Sequence, residues 1–393
     1  MKILMFTWKS FGDEDIIRAF RQLNHEVVTA PLDFGDIDLH QNEAAQARLE
    51  SVIRREGPGA VFTFNYFPIL ASACKETDVP YLSWVYDSPV VLLYSYTVIF
   101  PTNHIFVFAS DTYLEFHNQG IGTVHFLPMA ADPDRLLEMA KDTTTFDASV
   151  WKNQCDVAFI GSLYTEKHTF YDRLTHISPY TRGYLEGLMA AQKQVYGLNF
   201  VEQNLTEEIM EDMKQDLPME PDPAGVERKS WLYTHYVINR KLTSLERMEY
   251  LSAIGAEFGL DLYTPDKTLA LPGCVNHGPV DYYDMAPFVF QRAKINLNIS
   301  LRSIVNGIPL RCFDIMGNGG FLLTNYQGDF LEYFVPGEDF AYYESKEDLM
   351  NKIRYYLAPE NQEERRAIAE NGLLKIREAH TFVHRAKEML DQL

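Results

Sequence analysis

The sequence predicts an α/β fold of two doubly wound domains facing a cleft, the second of them interrupted by a helical insertion. Short apolar segments alternate with helical ones from the first residues, the pattern of a parallel sheet covered on both faces. After a polar stretch at 141–153, the succession of strand, turn and helix begins again near residue 156. The segment 165–250 is helical in character and much longer than an ordinary connection between neighbouring strands. In open α/β sheets ligands sit outside the carboxyl ends of the strands, so the loops there are where a site is expected.

Segment 3–6 is a compact apolar strand, and loop 7–12 leads into helix 14–23, where Ile16, Ile17, Phe20 and Leu23 recur at helical spacing. Strand 26–29 completes a βαβ unit, and apolar strands follow at 60–64, 81–85, 104–108 and 123–127. A Pro-containing turn at 128–134 and the polar stretch close the first domain, 1–150. Strand 156–160 then enters Gly161-Ser162 and opens the second, 151–375. Its insertion is broken by Pro218, Pro221 and Pro223 and serves as an acceptor cap or an oligomer interface. Strand 260–263, loop 273–278, helix 282–293 and strand 295–299 resume the α/β pattern. A helix with Arg311 and Asp314 runs through the turn 317–320 into strand 321–323, and the tail 363–393 is helical with a break at Gly372.

A formal charge of -20 argues against a partner with a phosphate backbone such as DNA or RNA. The four cysteines lie far apart without metal-ligand spacing, which suits reduced thiols in a cytoplasmic protein. No apolar run reaches the length of a membrane span, and the opening MKILMFTWKS meets charge too soon for a signal peptide.

The densest chemistry lies at 306–325, NGIPLRCFDIMGNGGFLLTN. Asp314 is placed to accept from a sugar hydroxyl of a nucleotide held at the start of its helix, or to pair with Arg311 three residues earlier. Arg302 and Arg311 suit a diphosphate through paired charge-assisted hydrogen bonds, aided by N–H groups at a helix start; a solvated surface arginine is the plainer reading of Arg302. Gly319 and Gly320 permit a tight turn or a close approach to a ligand.

In this order and spacing the segments resemble the GT-B glycosyltransferases and, within them, the CgeB-like spore-maturation glycosyltransferases. MKILMFTWKSFGDEDIIRAF, VFTFNYFPILASAC, YLSWVYDSPV and FLPMAADPDRL look like the family's amino-terminal domain. DVAFIGSLY, VNHGPVDYYDMAPFVFQRAKINLNIS and NGIPLRCFDIMGNGGFLLTN look like its donor domain, and YYLAPENQEERRAIAENGLLKIREAHTFVHR like its carboxy-terminal helices.

The resemblance implies two Rossmann-like domains, 1–150 for the acceptor and 151–375 for the donor, with 376–393 returning to the first. It implies transfer of a sugar from a nucleotide donor, a UDP-sugar, to an acceptor in the cleft, without metal or other cofactor. Group 1 members of the fold carry two donor-domain glutamates separated by seven residues, the second on the donor ribose. Here Asp314 stands at the second position and the uncharged Asn306 at the first. Gly161, Ser162 and Lys167 fall in the loop that faces the donor phosphates, and His277-Gly278 in a segment near the donor base or phosphates. On the acceptor side, Asp87 is the base of an inverting reaction or a turn cap before Pro89. Lys9, Ser10, Asn65 and Tyr66 are acceptor-side candidates by position. A nucleotide-sugar-binding scaffold and a sugar-nucleotide epimerase are the alternative readings, and a homo-oligomer is compatible with each.

Overall fold

The computed structural model describes residues 1–8, 10–32, 39–139, 155–165 and 169–393. They form two compact units: Met1–Ala130 with Glu220–Leu232 and His380–Leu393, and Ala131–Met219 with Tyr233–Ala379. The first change of unit falls inside the Pro-containing turn, ahead of the polar stretch expected to separate the domains. The prolines of the insertion mark another, because 220–232 leaves the insertion and packs within the first unit.

The first unit holds six parallel strands, β1 (Lys2–Thr7), β2 (Glu26–Pro31), β3 (Ala60–Phe64), β4 (Tyr81–Val85), β5 (Asn103–Val107) and β6 (Val124–Phe126), in the order β2-β1-β3-β4-β5-β6. β3 and β4 are buried at every position, as apolar runs without alternation require of strands covered on both faces. The terminal helix Phe382–Leu390 closes this core: Phe382 meets Trp84 edge-on at 5.7 Å. Gly12, at φ +89°, makes room for that ring, since a Cβ there would stand 3.2 Å from it. Arg385 Nε donates to the carbonyls of Pro128 and Met129, which ties the terminal helix to the exit of β6.

The second unit holds β7 (Val157–Ile160), β8 (Leu260–Tyr263), β9 (Cys274–Asn276), β10 (Ile295–Asn298), β11 (Leu322–Asn325) and β12 (Ala341–Tyr343), all parallel, in the order β12-β11-β10-β7-β8-β9. β9 falls in a segment read as loop and β12 in one left unassigned; each has three residues, too few for a periodicity to show. The insertion contains the helices Pro179–Lys193 and Glu207–Lys214, a π-helical turn Tyr233–Ile238, and the long helix Asn239–Phe258. It has its own core of Leu185, Met189, Val201, Ile209, Met213 and Tyr233, which makes it a subdomain of this unit. Helix Gln362–Ala379 runs unbroken through Gly372, contrary to the expected break. A Cβ there would stand 2.6 Å from the carbonyl oxygen of Asp339, so the glycine serves close packing instead. Among the described residues no helix is long and apolar enough to cross a membrane.

Candidate functional site

In the second unit the chain leaves β10 and returns through the helix Leu310–Gly317, whose first turn therefore stands at the carboxyl edge of the sheet. Pro309 starts it, with the extended φ of -63° and ψ of 149° that a proline supplies at such an entry. Asn298, the last residue of β10, donates through Nδ2 to Ser300 Oγ and Thr324 Oγ1, both at 2.9 Å. That leaves its Oδ1 to accept from Arg311 Nη1 at 3.1 Å. The guanidinium passes so close to the end of β7 that a Cβ on Gly161 would lie 3.1 Å from Nη2, which accounts for the glycine. Arg311 Nε is buried without a hydrogen-bond partner among the described residues.

Asp314 lies one turn further along and is 8% exposed. Its Oδ2 accepts from the Tyr282 hydroxyl at 2.7 Å. Burial first, and then the Asp314 charge, push the Tyr282 pKa well up against the opposing charge of Arg311, so the phenol remains a donor. Arg311 turns to Asn298 and Asp314 to Tyr282, so the ion pair between them offered by their spacing does not form.

Arg302 has a different place from the one expected. It is 7% exposed, its Nε and Nη2 bond Glu246 at 2.8 and 2.6 Å, and further donors go to the carbonyls of Val195 and Lys193. The guanidinium also lies 3.9 Å from the centre of the Tyr196 ring. Burial alone would lower its pKa; Glu246 outweighs that and holds it above the usual value. Those bonds turn Arg302 into the clamp that joins the loop after β10 to the insertion, where a solvated arginine or a diphosphate ligand was expected. Arg247, 3% exposed, does comparable work, binding the carbonyls of Ser162 and Ile299 and so tying the exits of β7 and β10 together.

Gly319 and Gly320 stand at the carboxyl end of the helix and the amino end of β11, opposite the edge where ligands sit. Gly319 takes φ +70°, and a Cβ on Gly320 would stand 2.7 Å from the carbonyl oxygen of Phe290, so both serve the turn and its packing. Asn306 accepts from Asp329 N through its main-chain oxygen. Ser162 Oγ accepts from Tyr164 N at 2.9 Å. His277 Nε2 donates to Asp261 at 2.5 Å while its ring stacks on Tyr263 at 4.7 Å, which fixes it against β8. Gly278, at φ +79°, follows and donates to Asn276 Oδ1. Lys167 lies outside the described residues.

In the first unit the exits of β1, β3 and β4 bring two carboxylates together around Tyr86. Asn65, in a left-handed conformation at φ +58°, donates through Nδ2 to Asp87 at 2.7 Å and accepts from Tyr86 N and Asp87 N. Its amide is spent on positioning Asp87, and acceptor contact was the expectation. Asp87 keeps an exposed face, but the protein around its carboxyl raises its pKa above the usual value, partly opposed by the Asn65 bond. Ser10 Oγ donates to Asp13, whose pKa burial also raises, against that bond and with a smaller push from Glu14. Trp8 lies parallel to Tyr86, ring centres 6.3 Å apart, and donates to Phe64 O. Tyr66 is fully buried with its hydroxyl bonded to Thr97, which makes it a core residue where an acceptor-side one was expected. Lys9 lies outside the described residues. Asp13, Asn298, Arg247 and Tyr282 were not singled out in the sequence; only Asp13, in the acidic start of the first helix, carried a local signal there.

Residues 245–391 match the family model Glyco_trans_1_2, described as Glycosyl transferase-like. No curated protein matches the chain. Among solved structures it is similar to Anabaena HepE in complex with UDP-glucose (TM-score 0.54, 12% identity, covering 100% of this chain and 99% of that one). It is similar also to sucrose-phosphate synthase from Thermosynechococcus elongatus (TM-score 0.54, 11% identity, 100% and 98% covered) and to a glycosyltransferase from Rickettsia africae ESF-5 (TM-score 0.52, 11% identity, 100% and 97% covered). The two parallel six-stranded sheets with flanking helices are the GT-B fold, and the match to the glycosyl transferase-like model lies in its second half.

Proposed function

We propose that this glycosyl transferase-like protein moves a sugar from a UDP-sugar to an acceptor recognised by its first unit, without a metal or other cofactor. The observation that carries this is a single helix start that holds a carboxylate and a guanidinium out of a mutual ion pair. Asp314 then accepts from the donor ribose, while Arg311 and the N–H groups of the helix start meet the diphosphate. The UDP-glucose complex of the similar Anabaena protein supports uridine as the nucleoside of the donor. The motifs quoted above support the CgeB-like branch, and four free thiols support a cytoplasmic site of action.

In the transfer, the bond between the anomeric carbon and the diphosphate oxygen breaks, and its electron pair leaves with the nucleotide. The acceptor oxygen forms the new bond to that carbon. Arg311 stabilises the charge that develops on the departing phosphate. On an inverting course Asp87 takes the acceptor proton, a task that its raised pKa suits. Incubation with UDP-sugars in the absence of acceptor is expected to release UDP slowly, at a rate that EDTA leaves unchanged. No release from any UDP-, GDP- or dTDP-sugar would make the protein a binding module; a strong loss under EDTA would refute the metal-free course.

Asp87→Asn is expected to lower transfer to acceptor by about 10²-fold or more. Transfer by the native enzyme falls as pH drops through the Asp87 pKa, and because that pKa is raised the fall begins above the ordinary aspartate value of about 3.9. The limb vanishes in the variant. A variant with native rate and pH profile would remove Asp87 from the chemistry.

A further inference from the structure

We infer that the helical insertion supplies a second phosphate ligand, Arg240, so that the donor diphosphate is held by Arg240 and Arg311 together; this extends the donor-site reading above and rests on it. Arg240 is the second residue of helix Asn239–Phe258, directly after the π-helical turn Tyr233–Ile238. Such turns re-aim the side chains that follow them and occur often at functional sites. The Arg240 guanidinium lies 5.5 Å from the ring centre of Tyr236 and 6.0 Å from that of Tyr164, in the loop after β7. Arg247 lies 5.1 Å from the same Tyr164 ring and 5.4 Å from Phe159, and Arg311 lies 5.8 Å from Phe159. Three guanidinium groups thus follow one another along residues 159–164, spaced by two aromatic rings.

Among the described residues none of the three pairs with a carboxylate, although the chain carries a net charge of -20. Arg247 is buried and Arg240 and Arg311 are partly buried, and clustered charge of one sign calls for a counter-ion. Arg247 spends its donors on main-chain carbonyls, whereas Arg240 and Arg311 each keep a buried Nε without a hydrogen-bond partner. Thr234 Oγ1 and Asn239 Oδ1, in and just after the π turn, are buried and unbonded as well. An anion rich in acceptor oxygens satisfies both Nε groups, and a diphosphate presents one phosphate to each. The strain of Tyr164, at φ +53°, fits a loop held in place to carry the ring between Arg240 and Arg247.

The test is titration calorimetry with inorganic pyrophosphate and with UDP on the full chain, native and as Arg240→Gln and Arg240→Lys, with melting temperatures recorded alongside. Loss of one charge-assisted contact is expected to weaken pyrophosphate by about ten-fold or more in Arg240→Gln. The melting temperature stays at the native value, and Arg240→Lys recovers part of the affinity. UDP weakens in parallel, while uridine, which has no phosphate, is unaffected. Native pyrophosphate and UDP affinity in Arg240→Gln overturns the inference and leaves the donor-site reading standing. Arg240-dependent pyrophosphate binding with no added affinity for UDP, GDP or dTDP does the reverse. If Arg240→Gln fails to fold, native affinity in a folded Arg240→Ala or Arg240→Met overturns the inference in its place.

Discussion

Glu246→Ala is expected to destabilise the protein by about 3–5 kcal/mol, the cost of stranding one member of a buried ion pair. Glu246 is fully buried, and its carboxylate is the counter-charge of Arg302 as well as the acceptor of the Tyr196 hydroxyl at 2.5 Å. Without it the guanidinium is left among the carbonyls of Lys193 and Val195 and the face of Tyr196, none of which neutralises it. The hold of the loop after β10 on the insertion weakens with it, although Arg302 N still donates to Thr243 Oγ1 and Asn199 Nδ2 to Arg302 O. Urea unfolding at neutral pH reads the effect directly. A loss below about 1 kcal/mol, the size of an ordinary surface pair, would show that Arg302 is not committed to Glu246 and return it to the donor site.

Asp314→Ala is expected to reduce kcat/KM for the donor by about 10–100-fold, the worth of one charge-assisted hydrogen bond from the ribose, and by more if both hydroxyls engage it. The loss belongs in donor affinity, because the ribose does not react, so KM rises while kcat changes little. Asp314→Asn keeps the shape and an acceptor for Tyr282 but drops the charge, and falls between the two. An unchanged KM in both variants, with Tyr282 still ordered, would show that Asp314 serves only to hold Tyr282.

How much of this was legible in the sequence follows from where each signal resides. β1, β3 and β4 announce themselves because strands covered on both faces must be largely apolar. β12 and β9 do not, because three residues at the outer edges of a sheet carry no pattern. Asp314 and Arg311 were legible as a carboxylate and a cation at one helix start. Which of them pairs with what was not, because Tyr282 and Asn298, 32 and 13 residues away, decide it. Arg302 misled for the same reason: Glu246 is 56 residues upstream, inside a helix whose sequence gives no sign of facing the sheet. The glycines at 319 and 320 looked like ligand-approach residues, and only the direction of the helix shows that they lie at the other end of the strand from the site.

On the proposed function the second unit binds a nucleoside diphosphate through Asp314 and Arg311. The most direct measurement is the shift in melting temperature with UDP concentration for the native protein and Asp314→Ala. A ligand that binds the folded state alone raises stability as RT ln(1 + [L]/Kd). A saturable rise with UDP is expected in the native protein, and a curve displaced to about 10–100-fold higher UDP in the variant. A native protein indifferent to UDP, GDP and dTDP alike, or a variant whose curve overlies the native one, would contradict it.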